Sequence, residues 1–219
     1  MIKTPIILVN FKNYSSTLGK SGLELARALD KVASKSNVSL VLALNPVVLE
    51  AYARELKCPV IAQHVDPVSP GSHTGKVTCE SIKLADCDGT LVNHSEISMI
   101  DEEIKKVLTN CKNNQLQTFL CVDSLDEAKK FTLFDPTFFC YEDPNLIGGD
   151  ISIASENPEE IKKMCDFLEV PVLVGAGIKT SLDVKKAMSL GADGILVASA
   201  ITKAVDPIKA FEELLNGFN

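Results

Sequence analysis

The sequence predicts an α/β fold, a closed (β/α)8 barrel of eight parallel strands, in one domain spanning residues 1–219. Three observations carry this expectation. Eight short runs rich in β-branched and aliphatic residues recur along the chain. They are nearly continuous in apolar character rather than alternating, which suits strands covered on both faces of a parallel sheet. Helix start signals stand between them. Eight units in 219 residues leave about 27 residues each, and a barrel of this kind begins at roughly 200 residues in all. Strict alternation of strand and helix gives parallel pairing through right-handed crossovers.

The expected strands are Ile6–Val9, Ser39–Ala43, Val60–Ala62, Gly89–Val92, Gln117–Val122, Thr137–Tyr141, Val172–Val174 and Gly194–Val197. About eight helices lie between them. In the first unit, Leu23, Ala26, Leu29 and Val32 recur at helical spacing and give one apolar stripe. Ser124-Leu-Asp-Glu127 reads as a capping box. Asn157, Pro158, Glu159 and Glu160 supply a cap, a proline at the first helical position and acids in the first turn. Thr180–Asp183 and Asp206-Pro207 open two more helices. An open doubly wound sheet is the alternative, but it ordinarily carries a glycine-rich turn after its first strand. Here Asn10-Phe-Lys12 follows instead. No linker, low-complexity tract or internal repeat divides the chain.

Acids outnumber Lys plus Arg, 29 to 22, for a net charge of −7. This excludes a nucleic-acid binder, which would carry a basic stripe. It does not exclude a small anionic ligand, because the field of a site is local. Apolar residues at 46% and charged residues at 23% argue against disorder. No apolar stretch approaches the roughly 20 residues of a membrane span. The segment Met1–Asn10 lacks the parts of a secretion signal. Seven cysteines, odd in number and irregular in spacing, suit neither a disulfide framework nor a zinc site. A reducing, cytoplasmic compartment fits them, and Cys121 and Cys140, in apolar runs, act as small hydrophobes.

Function in a barrel collects at the C-terminal ends of the strands. After the first strand come Asn10 and Lys12, whose spacing puts both side chains on one side of an extended segment. After the fourth come Asn93, His94, Ser95 and Glu96; after the sixth, Tyr141 and Glu142. The seventh ends in Gly175-Ala-Gly177 and the eighth in Ala198-Ser199. Each alone has a plain structural reading as a solvated lysine, a capping or buried histidine, a loop acid or a tight turn. Their convergence on one rim favours a site. His64 follows the third strand and can reach the rim. His73 lies in a polar loop and is read as exposed or at a subunit contact. Gly71–Lys76 is not a P-loop, since Pro70 stands where its first glycine belongs and Val77 follows the lysine. Acid pairs such as Glu159 and Glu160 are structural. No metal-ligand spacing and no nucleophile elbow occur.

The segments Val9–Lys12, His73–Gly75, Asn93–Glu96, Tyr141-Glu142 with Leu146–Gly148, Gly175–Ile178 and Gly191–Ser199 follow one another in a familiar order. In these the chain resembles the triosephosphate isomerase family, in the shorter form typical of archaea. The resemblance implies interconversion of dihydroxyacetone phosphate and D-glyceraldehyde 3-phosphate without a cofactor or metal. It implies Glu142 as the base, His94 as the group that polarises the carbonyl, and Lys12 as positive charge toward the enediolate. Asn10 would hold a substrate oxygen and help place Lys12. Ile147, Gly148, Gly175, Gly177, Ala198 and Ser199 would hold the phosphate through backbone amides, with Leu146–Gly149 as the tip of a closing lid. A helix starting at Ser95-Glu96 would disfavour an imidazolium at His94. The partners implied are a small phosphorylated triose and further copies of the chain, as a homodimer or homotetramer, with no nucleic acid and no membrane.

Three positions depart from the family. Asp143 stands where a proline usually follows the base, so Asp143 is expected to point away from the phosphate and to leave a looser hinge. The lid ends in Gly148-Gly-Asp150 rather than Gly-Thr-Gly. Lys76 replaces a common glutamate after the loop that usually meets the partner subunit. Another phosphate-binding barrel isomerase, of sugar-phosphate or tryptophan metabolism, would share Gly175-Ala-Gly177 but not Asn10-Phe-Lys12 with Asn93-His94. A non-catalytic barrel would be expected to lack the base or the histidine.

Overall fold

The computed structural model describes residues 2–149 and 151–218. Eight strands close into a barrel in chain order, each parallel to the next. They are β1 Ile6–Asn10, β2 Ser39–Leu44, β3 Val60–Ala62, β4 Gly89–Val92, β5 Gln117–Val122, β6 Phe138–Glu142, β7 Val172–Gly175 and β8 Gly194–Val197. The register of β1 against β8 pairs Ile6 with Gly194 and Val9 with Val197, which closes the sheet and leaves no edge.

The core has two layers because side chains alternate along each strand. Ile6, Leu8, Val41, Phe119, Cys121, Phe138, Cys140, Leu173 and Leu196 belong to an inner cluster inside the barrel. Ile7, Val9, Leu42, Leu120, Phe139 and Val174 pack outward with the helices. Phe119 and Phe138 stack at 4.5 Å between ring centroids in the inner layer. Extending the inward positions of β1 and β6 to their last residues puts Asn10 and Glu142 at the mouth.

Both residues lie within strands, because β1, β2, β6 and β7 each run one residue further toward the rim than the sequence suggests. At its other end β6 starts one residue late. Thr137 exchanges reciprocal hydrogen bonds with Thr118, backbone N–H to hydroxyl at 3.0 and 3.1 Å, in place of a ladder pair.

The described residues hold ten α-helices rather than about eight. They are α1 Gly19–Ala33, α2 Leu49–Ala53, α3 Cys79–Leu84, α4 Asp101–Asn113, α5 Leu125–Phe131, α6 Ile153–Glu156, α7 Pro158–Phe167, α8 Ser181–Ser189, α9 Ser199–Thr202 and α10 Pro207–Leu215. The surplus is a single turn at the rim in the sixth and eighth units, α6 and α9. Both expected helix starts hold: Thr180 and Asp183 form a reciprocal capping box at α8, and Asp206 caps α10. The Ser124 box is only half made. Ser124 accepts from the Glu127 N–H at 3.2 Å, but the Glu127 carboxylate turns to the Asp123 N–H and to Asn93. Asn157 precedes α7 without capping it, because its amide donates to the Tyr141 hydroxyl and to Asp143 instead.

Phe138 is fully buried at the stacked pair in the barrel interior. Phe138→Ala should lower stability by about 3–5 kcal/mol, the cost of an aromatic-sized void that the closed sheet cannot collapse around. Chemical denaturation reads it, and a loss below about 1 kcal/mol would show that the interior repacks freely.

Candidate active site

Asn10 is the final residue of β1, buried at 4% exposure. Its Oδ1 accepts from the Lys12 N–H at 3.0 Å and from Gln63 Nε2 at 3.2 Å. The same Gln63 amide reaches the carbonyls of Lys12 and Ala43. Gln63, at the end of β3, therefore fixes both the amide plane of Asn10 and the course of the chain after it. Lys12 does not continue an extended segment, as its spacing from Asn10 suggests. It has a left-handed backbone, φ +49°, a conformation uncommon for a residue with a long side chain. The Asn10 hydrogen bond holds that turn and aims the lysine across the mouth. Lys12 Nζ meets Glu96 Oε1 at 2.8 Å, with the lysine side chain only 12% exposed.

His94 is placed by a second left-handed residue, Asn93, φ +58°. Asn93 donates to the Cys121 carbonyl at 3.1 Å and to Glu127 at 3.3 Å, and its Oδ1 accepts from the Met99 N–H at 2.9 Å. These bonds tie the end of β4 to β5 and α5 and leave His94 to enter the mouth. His94 Nδ1 accepts from the Glu96 N–H at 3.2 Å, so the proton of the neutral ring sits on Nε2. The helix expected after His94 is a three-residue 3-10 turn, Ser95–Ile97. The imidazole is nevertheless held neutral. Burial, and then the Lys12 charge, lower its pKa to about 4.

Glu142 ends β6, is 8% exposed, and has its carboxylate 3.5 Å from His94 Nε2 through Oε2. That oxygen is buried and accepts no hydrogen bond among the described residues. Burial raises the Glu142 pKa to about 7, with Lys12 pulling the other way. Gly175, its register partner on β7, leaves the necessary space, since a Cβ there would meet Leu196 O at 2.7 Å and Glu142 Oε1 at 3.1 Å.

These groups open into a cavity of about 210 Å³. Asn10, Lys12, His94 and Glu142 line one side; Ile147, Gly148, Gly177, Ala198 and Ser199 line the other. Gly175 is buried one step deeper than the wall and acts as the spacer beside the base. Gly148 and Gly177 have left-handed backbones, φ +75° and +73°. A Cβ on Gly177 would come within 1.9 Å of Ile151 O. Ala198 has no side chain with which to cap α9, and the first N–H groups of a helix have no partner inside it. Among the described residues, the wall opposite the base is therefore rich in backbone donors and free of carboxylates.

Asp143 is absent from that wall. Its carboxylate accepts from Asn145 N–H and Nδ2 at 2.9 and 3.0 Å and from Asn157 Nδ2 at 3.1 Å. It points away from the cavity, as expected. The expected loosening of the hinge is opposed by these three bonds, which tie the Pro144–Leu146 turn to the start of α7. Asp150 lies outside the described residues. His64 lines an adjoining cleft of about 440 Å³ with Asn10, Lys12 and Gln63, and does not reach Glu142. It lies 3.4 Å from Asp66, which also binds Lys76 at 2.8 Å. Lys76 thus has a partner within its own chain, while His73 is exposed.

Sequence reasoning placed Asn93 and Glu96 at the rim without a task of their own, read Glu127 only as part of a helix cap, and gave Gln63 no role. Glu96 is the one with a local signal, two residues beyond His94. The others act through contacts between strands far apart in the chain. No group of three or more His, Cys, Asp or Glu able to hold a metal occurs among the described residues. No helix of the described residues is long and apolar enough to cross a membrane.

A family model described as triosephosphate isomerase matches residues 5–217. The chain is 38% identical over 215 residues to the triosephosphate isomerase of Methanocaldococcus jannaschii, covering 96% of this chain and 98% of the relative. It is 40% identical to that of Metallosphaera sedula, covering 99% and 96%, and 37% identical to that of Saccharolobus solfataricus, covering 98% and 96%. A closed eight-stranded parallel barrel whose mouth gathers a buried glutamate, a neutral histidine and a lysine, matched nearly end to end, belongs to the triosephosphate isomerase family.

Proposed function

We propose that this chain interconverts dihydroxyacetone phosphate and D-glyceraldehyde 3-phosphate through an enediolate, as one barrel domain, with Glu142 as base and His94 as electrophile. The observation that carries this reading is Glu142 Oε2: buried, without a hydrogen-bond partner among the described residues, and facing the cavity beside His94 Nε2. A carbon acid is a weak proton donor, so its base must sit within reach and titrate near the working pH. Glu142, raised to about 7 by burial, meets both demands. It takes the proton from the carbon next to the carbonyl and returns it to the neighbouring carbon.

His94 presents Nε2–H to the substrate oxygens and moves protons between them. A glutamate base beside a neutral histidine is the pattern this family is known for. Lys12 and Asn10 stabilise the negative oxygen as it develops, in a site where water is scarce and such charges count most. The phosphate rests on backbone N–H groups around Gly148, Gly177, Ala198 and Ser199, which need no basic patch. Ile147 and Gly148 belong to the lid that covers it. The chain is further read as a cytoplasmic homo-oligomer. The exposed loop Gly71–Lys76 and the open cleft beside Lys12 support this, as does the modest burial available to a short barrel.

A coupled assay with D-glyceraldehyde 3-phosphate tests the activity, and an inactive wild type ends the proposal. Glu142→Gln should lower turnover by at least about 10²–10⁴-fold, with substrate affinity largely retained. Near-normal turnover would remove Glu142 from the role of base. The pH dependence follows from Glu142 rather than His94. The base must be ionised, so kcat/KM should fall about tenfold per pH unit below an apparent pKa near 7. A profile flat down to pH 5 would contradict this assignment. Gly177→Ala should raise KM and weaken inhibition by inorganic phosphate by about tenfold or more, the loss of a hydrogen bond to a charged group. An unchanged KM would place the phosphate elsewhere.

A further inference from the structure

Cys79 and Cys111 lie outside the catalytic mouth. Cys79 is the first residue of α3 and Cys111 sits in the last turn of α4. Both are fully buried, and their sulfurs are 3.4 Å apart across 32 residues of sequence. The contact is at the base of the barrel. The chain leaves α4 directly for the start of β5, and Asn114 Nδ2, just beyond α4, reaches Glu80 Oε1 at 3.4 Å. Both thiols are free.

We propose that Cys79 and Cys111 form an oxidation site, a dithiol that a small peroxide converts to a reversible intrachain disulfide. Cys79 attacks. The hydrogen bond between the two sulfurs, in which either thiol can donate, lowers the Cys79 pKa and raises that of Cys111. Nearby Glu80 opposes both thiolates. Burial pushes Cys87 up to about 12 and Cys165 to about 11, and raises Cys58 as well. In Cys121 the hydrogen bond with Cys140 is the first cause of the rise, ahead of burial. Those thiols are therefore held protonated and are poor nucleophiles. The Cys79 thiolate displaces hydroxide from the peroxide and becomes a sulfenic acid. The Cys111 sulfur then attacks Cys79 Sγ, expelling a second hydroxide. With the two thiol protons, the balance is two thiols and one hydrogen peroxide giving one disulfide and two waters. The sulfurs need close only from 3.4 Å to about 2 Å.

The bridge closes a loop containing β4, His94 and Glu96. It joins the helices at the barrel base, where barrel proteins concentrate stability rather than chemistry. Oxidation should therefore strengthen the frame and spare the mouth.

The test treats the reduced full chain with hydrogen peroxide, blocks remaining thiols with N-ethylmaleimide, and maps peptides without reduction. Two of the seven thiols should disappear. A peptide pair joining Cys79 to Cys111, lighter by two hydrogens and reversed by dithiothreitol, should appear both in wild type and in a C58S/C165S background. Tm should rise by about 5 °C or more, and isomerase turnover should stay within about twofold. C111S should instead leave a Cys79 sulfenic acid trapped by dimedone. Should C111S fail to fold, the wild-type map decides alone. Full alkylation of both cysteines after peroxide treatment, or a bridge joining Cys121 to Cys140 instead, would overturn the proposal.

Discussion

Side-chain alternation inside a closed parallel barrel is the constraint on which the rest depends. Each strand sends every second residue into a narrow interior already filled by Ile6, Leu8, Phe119, Phe138 and Cys140. The inward position above that packing is neither solvent nor core. Asn10 and Glu142 occupy it because β1 and β6 extend to include them. They are held by the sheet, and their backbone cannot drift as a loop would. The polar groups of the mouth thus inherit the rigidity of the apolar layers beneath.

Electrostatics at the mouth follows from the same burial. Low exposure penalises charge, so it raises an acid and lowers an imidazole. Lys12 acts on both neighbours in one direction, favouring the deprotonated form. At His94 the two effects add, and the ring stays neutral. At Glu142 they oppose, and the carboxyl remains near 7. One cation therefore separates two roles, an acceptor that titrates near neutrality and a donor that stays uncharged. Glu96 shares that cation through its 2.8 Å contact and donates its N–H to His94, coupling the charge network to the tautomer.

Backbone geometry accounts for what an acidic chain can hold. A net charge of −7 would repel a phosphate spread over the surface. Gly148, Gly177, Ala198 and Ser199 line the cavity opposite Glu142, and their amides and small side chains admit an anion closely. Asp143, the acid nearest the hinge, is turned away by Asn145 and Asn157.

The sequence by itself determined the barrel and the residues at its rim. Buried parallel strands are written as continuous apolar runs, and helix caps as local signals, so both are legible one segment at a time. The resemblance then supplied roles for Asn10, Lys12, His94 and Glu142. Tertiary structure decided the aim of those residues. The left-handed turn at Lys12 is held by neighbouring Asn10, whose amide is fixed by Gln63, and that at Asn93 by Cys121 and Glu127; Gln63, Cys121 and Glu127 are remote in sequence and arrive only when the sheet closes. For the same reason the Glu127 half of the Ser124 capping box and the Asn157 cap are not made, while Ser124 itself caps its helix as expected. A side chain that caps its own helix in isolation takes a better partner when a neighbouring strand end arrives. Local free energies set the elements, and competition among distant hydrogen-bond partners set the site.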